Sequence, residues 1–225
     1  MSVQVRGSLP NAVAEVEAGN ASLRVTPRGA DVGSNGSYAM SATTGDLSGV
    51  AAGSATAGFL FSFRWTNSSM LAIINKLKIR WYTNAGFTAA QLVGVSAWIA
   101  RDFVTTPSAG TPIVTTGNNF KKRQSYGSSN VADVRVGAAA AITVAASSFV
   151  LDPQPLLIGY AREMAAAATV PGQTIVLAQE WDVGQSMPPQ LSQNMGIVVR
   201  NEVAMGVGGT ARVVVDLDWS EVSTY

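Results

Sequence analysis

Alternation of apolar and polar positions dominates the middle and the end of the chain. Phe59, Phe61, Phe63 and Trp65 alternate with Leu60, Ser62 and Arg64. A period of two predicts a strand with one buried face. Residues 66–69, Thr-Asn-Ser-Ser, read as a turn. A second strand is predicted over 71–82. Ile73, Leu77, Ile79 and Trp81 point one way along it, and Lys76, Lys78, Arg80 and Tyr82 the other. Asn75 interrupts the apolar face, so clean alternation starts near Lys76. Val93, Val95, Ala97 and Ile99 predict a third strand, 131–136 a fourth and 175–181 a fifth. From Gln193 onward the chain reads as a C-terminal hairpin. Two strands flank the turn Gly206-Val207-Gly208-Gly209, with Val213, Val215, Leu217 and Trp219 on the core face.

The remaining segments are less periodic. Residues 86–91 read as a short helical turn or a loop, and 105–119 as a long loop rich in Thr, Pro, Gly and Asn. Alanine runs at 138–141 and 165–168 have high helix propensity. Asp152-Pro153-Gln154-Pro155 breaks the chain between them. A strand or loop is expected for the first run, and a short helix or loop for the second. Residues 1–55 are rich in Gly, Ser, Ala and Thr, with Tyr38 as their only aromatic and short extended pieces at 21–25 and 38–41. The expected organisation is an N-terminal arm over 1–20 and a single domain over 21–225. The fold class is all-β: an antiparallel β-sandwich with long loops and an extended arm, a jelly roll being the leading topology.

Composition changes this picture in two ways. The 225 residues are 47% apolar and only 13% charged. So sparse a charge suits a surface that neighbouring subunits cover, although a chain merely rich in small residues reads the same way. The net charge of +1 provides no global field for nucleic acid. No signal peptide and no membrane span are expected, so the partners anticipated exclude nucleic acid and membrane.

Cysteine and histidine are both absent. That removes thiolate nucleophiles, histidine-based triads and thiolate or imidazole metal sites. Glu180 and Asp182 form at most half of a glycosidase-like pair, and Asp216, Asp218 and Glu221 lack metal-loop spacing. No catalytic residue, cofactor or metal is therefore expected, and the chain reads as a non-enzyme. Three features are candidate interfaces. Lys76, Lys78 and Arg80 form a basic ladder with a spacing of about 7 Å. It faces either an acidic partner or the strand carrying Asp216 and Asp218. Lys121-Lys122-Arg123 is the one contiguous basic run. Trp98 is out of phase with Val95, Ala97 and Ile99, and so is placed against a second surface.

Several segments carry a family resemblance when taken in order. They are Phe61-Ser62-Phe63-Arg64-Trp65, Leu71-Ala72-Ile73-Ile74, Gly86-Phe87-Thr88-Ala89-Ala90-Gln91 and Ala100-Arg101-Asp102-Phe103. Gly117-Asn118-Asn119-Phe120-Lys121-Lys122-Arg123, Ala132-Asp133-Val134-Arg135-Val136, the segment from Leu191 to Arg200 and Asp218-Trp219-Ser220-Glu221 follow. Over about residues 20–222 this set resembles structural proteins of tailed bacteriophages. That family has Asn-Glu-Gly where this chain has Asn194-Met195-Gly196, and the glycine is expected to keep the turn through positive φ. The resemblance implies a non-enzymatic virion component assembled in the host cytoplasm. Its expected role is a capsid cement or decoration protein that binds the major capsid protein and copies of itself, as a dimer or trimer. The alternative is a tail or fibre module that binds a host glycan on aromatic residues such as Trp98.

Overall fold

The computed structural model describes residues 36–54, 57–145, 149–163, 165, 175–181 and 187–223. The expected arm at 1–20, the extended piece at 21–25, residues 166–168 of the second alanine run and Asp182 lie outside them. The regular elements among the described residues are all strands. They are β1 (Gly36–Thr43), β2 (Phe59–Trp65), β3 (Met70–Ala85), β4 (Gln91–Arg101), β5 (Thr111–Pro112) and β6 (Asp133–Val136). β7 (Val150–Leu151), β8 (Leu157–Glu163), β9 (Ile175–Glu180), β10 (Gln190–Leu191), β11 (Met195–Asn201) and β12 (Thr210–Ser223) complete the set. They build two antiparallel sheets. One has the order β1-β12-β3-β10, with β9 on the same strand β3. The other has the order β5-β6-β2-β11-β4-β7, with β8 also on β4. The sheets pack face to face as a β-sandwich.

One apolar cluster joins the two inner faces. Met40, Leu77, Ile79, Trp81, Val213, Val215 and Leu217 come from the five-stranded sheet. Phe61, Phe63, Trp65, Val93, Val95, Ala97, Ile197 and Val199 face them. Trp219 is a hub, stacked on Tyr38 at 5.5 Å and edge-on to Phe63 at 5.2 Å between ring centroids. Burying each such side chain contributes about 1.5–3 kcal/mol.

Four expectations are corrected. First, the C-terminal strands are not a hairpin. β11 pairs with β2 and β4, whereas β12 pairs with β1 and β3 in the opposite sheet. The 202–209 segment therefore crosses the sandwich. Both strands carry core residues at alternate positions, and that pattern is the same whether two strands share a sheet or face one another. Second, Ile74 rather than Ile73 is the large side chain fully buried in the core. A bulge places Asp218 opposite Lys76 and Trp219 opposite Ile74, so Asn75 is the extra residue and the phase flips across it.

Third, Phe59 is buried on the other side of its sheet. A register shift at Val199/Arg200 pairs Phe59 with Arg200. The ring then joins Ala100, Phe103, Ile142, Val144, Phe149 and Val198 in a second, smaller cluster under loops. Fourth, Gly196 does not supply positive φ. Asn194 does, at 59°. Gly196 lies within β11, where a methyl group would fall on the Phe63 carbonyl oxygen and 2.7 Å from Phe103 Cδ1. Met195 closes the turn instead, its Sδ accepting from Ser192 Oγ at 3.1 Å.

Candidate interaction faces

The basic ladder stands on the outer face of the five-stranded sheet, because Leu77, Ile79 and Trp81 take the inner one. The register sets Lys76 opposite Asp218 and Lys78 opposite Asp216 across to β12. On the other side it sets Lys76 opposite Glu180 of β9. Arg80 Nη2 donates to Asp216 Oδ2 at 2.8 Å, and Lys76 Nζ lies 3.5 Å from Glu180 Oε2. Ser41 of β1 adds a hydroxyl bond to Asp216 at 2.6 Å. Burial opposes the charge on Arg80, but Asp216 and Tyr82 outweigh it and hold the guanidinium pKa up. The ladder is thus laced into its own sheet by cross-strand pairs. Lys78 carries no ion pair among the described residues.

The run at 121–123 is divided. Its chain follows the edge of β1: Ala39 N donates to Phe120 O at 2.8 Å, and Lys122 N to Ser37 O at 3.0 Å. Phe120 holds a left-handed backbone, φ 68°, and its ring packs on Trp219 at 6.0 Å. Lys122 reaches Asp218 Oδ2 at 3.1 Å and so joins the face that carries the ladder. Lys121 Nζ donates to Asn118 Oδ1 at 3.2 Å. Arg123 is exposed, in a turn closed by Tyr126 N donating to its carbonyl.

The same end of the sandwich buries a carboxylate that sequence reading treated only as part of an acidic cluster. Glu221 Oε1 accepts from Ser129 Oγ at 2.6 Å, Asn130 N at 3.0 Å and Trp219 Nε1 at 3.2 Å. Its Oε2 accepts from Asn130 Nδ2 at 2.7 Å. These bonds tie the loop after the basic run to β12. The sequence signal was the burial-prone Trp219 two residues earlier, but the loop donors Ser129 and Asn130 lie 92 and 91 positions upstream in the chain.

Trp98 belongs to the opposite outer face, on β4 of the seven-stranded sheet. It packs on the smaller cluster, which is the second surface that its phase implied. Arg200 lies over the ring, 4.5 Å from its centroid. Trp98 Nε1 donates to Ser96 Oγ at 2.6 Å, and Arg200 Nε to Glu202 Oε1 at 2.7 Å. Burial raises the Glu202 pKa, but bonds from Arg200, Ser96 and Trp98 outweigh it and hold the carboxyl below its usual range. A sugar would reach the covered face of Trp98 only by displacing Arg200.

Most described carboxylates are committed in the same way. Asp46 pairs with Arg212, Asp133 with Arg135 and Asp152 with Arg101. Glu163 accepts from Thr83. Glu180 and Asp182, the half-pair raised from sequence, resolve into an ion pair of Glu180 with Lys76 and a residue outside the described set. No group of three or more acidic residues among the described residues is arranged to hold a metal ion. The chain matches no protein-family model and no curated protein sequence.

Proposed function

We propose that the chain is a non-enzymatic virion structural protein of a tailed bacteriophage, a cement or decoration protein that binds the outer head shell. The supporting observation is where the resemblance falls. Six of its eight segments build the frame of the sandwich: β2, the start of β3, the end of β4, β6, β11 and the end of β12; the other two, 86–91 and 117–123, lie in the connections leading to β4 and β6. The likeness therefore lies in a fold-determining set rather than in one loop. The long strands support the finer topology as well. β1, β3, β9 and β12 lie in one sheet, and β2, β4, β8 and β11 in the other. We read this eight-strand distribution as a jelly roll.

On this reading the protein works by contact area. Its carboxylates serve as cross-strand and loop ties, which suits a rigid covering plate. Many copies bound by modest contacts gain occupancy through repetition over the shell. The major capsid protein is the partner, and the virion is the place of action. Quantitative mass spectrometry of purified particles tests this. A copy number that scales with the major capsid protein is expected. A number matching the tail or portal components would overturn the head assignment.

A further inference from the structure

We propose that β8 is the seam of a homodimer, in which two copies pair antiparallel through this strand about a two-fold axis at Gly159. The proposal does not depend on where the protein sits in a particle. It begins with the edges of the sandwich. The free side of β1 is bonded to the 120–122 segment, and β5, at one end of the seven-stranded sheet, has 2 residues. β8, with 7 residues, is the long edge of that sheet, and its one strand partner among the described residues is β4.

The direction of its peptide groups follows from the ladder. Glu202 N donates to Gly94 O at 2.9 Å, so Gly94 turns its peptide groups toward β11. Tyr160 stands opposite Gly94 in β8. By the alternation of an antiparallel ladder, Tyr160 then aims its own N–H and C=O away from β4, as do Ile158 and Arg162. These are the groups that another strand would bond.

The side chains on the same positions are apolar and exposed. Ile158 is 44% accessible, Tyr160 52%, and Leu92, on the neighbouring strand, 49%. The Tyr160 ring is laid on β4, with Cδ1 and Cε1 within 2.7 Å of where a Gly94 methyl group would stand. It is therefore held in place before any partner arrives. Together the three side chains expose on the order of 300 Å², about the size of the largest apolar patch on an ordinary monomer, but here it lies on a strand whose outward peptide groups another strand can bond. The centre of the strand also lacks the charge or proline that usually blunts a free edge. β9, the adjacent edge of the other sheet, exposes Val176 as its one large apolar side chain.

The occupant is a second copy because the strand complements itself. With the axis at Gly159, Ile158 falls opposite Tyr160 of the other copy, and Tyr160 opposite its Ile158. Aromatic with β-branched is a favourable cross-strand pair, and here it occurs twice. These positions are also the ones whose peptide groups point outward, so each pair exchanges both of its backbone bonds. On the inner side Leu157 meets Ala161, and the two glycines meet at the axis without side chains. Arg162 falls at the rim.

The test is the mass of the full chain by sedimentation equilibrium from about 1 to 100 µM, without shell protein. A concentration-dependent dimer is expected. Ile158→Pro removes an outward N–H that β4 does not use, and Ile158→Glu sets a charge against Tyr160 of the other copy. Each should raise the dimer Kd at least about tenfold while circular dichroism stays that of the wild type. Amide exchange in the wild type provides a reading free of mutation: the Ile158 and Tyr160 N–H groups should gain protection as concentration rises. A monomer throughout, a closed trimer, a dimer insensitive to both variants, or unchanged exchange would overturn the proposal. The copy number in particles is unaffected by any of these results, so the two readings fail separately.

Discussion

Tyr38 is a phenol placed in the core beside a buried carboxylate, and its titration reports that setting. Burial, with Glu221 and Tyr126 adding to it, pushes its pKa from 10.0 up to about 12. The unfolded chain releases this proton near the ordinary value, while the folded one keeps it. Stability from this group is therefore intact below about pH 10 and is lost as pH rises through about 12. Denaturant titrations at successive pH values should show the decline in the wild type. Tyr38→Phe gives up a hydroxyl bond to the Gly127 carbonyl, 3.1 Å, and costs about 1 kcal/mol at neutral pH. Its stability should then stay flatter across the alkaline window. Parallel declines in both proteins would show that Tyr38 is not the titrating group. The residue types at this site were plain in the sequence. Their convergence was not, since Tyr38, Ser129 and Glu221 meet only after the sheets have formed.

At the scale of elements, period two located β2, β3, β4, β6 and β9, because each keeps one face on the core. It gave wrong facings where a strand gains a residue. Asn75 and the shift at Val199/Arg200 each flip the side chains beyond them, and no propensity marks a bulge in advance. Alternation also cannot say which sheet a strand joins, so the crossing between β11 and β12 resembled a hairpin turn. The turn before β11 makes the point quantitative. Gly196→Ala drives a methyl group into the Phe63 carbonyl and the Phe103 ring, between backbone and a packed core. It should destabilise by about 3 kcal/mol or more. Asn194→Gly, at φ 59°, should stay within about 0.5 kcal/mol of the wild type. Urea midpoints decide it, and the opposite order would mean that the space at Gly196 is not limited by packing and that the Asn194 side chain holds the turn.

For the whole molecule, one question is whether the two sheets melt as one. Trp65 lies in the seven-stranded sheet, Trp81 and Trp219 in the five-stranded one, and all three are fully buried in the cluster between them. Neither sheet can lose its partner without exposing that cluster to water. The strand path tightens the coupling: β1, β2, β3 and β4 alternate between sheets, and β11 and β12 do so again. A sheet cannot therefore leave as a contiguous piece of chain. This long-range alternation is what the sequence conceals, since a strand shows its own two faces and not the strand that will cover one of them. Unfolding should accordingly be a single transition. Tryptophan emission should shift to the red at the same denaturant concentration at which far-ultraviolet dichroism is lost. The Phe59, Phe103 and Phe149 cluster under the outer loops is separate, so Phe149→Ala should lower the common midpoint without dividing it. Two midpoints in the wild type would mean that the sheets hold together more weakly than their shared core requires.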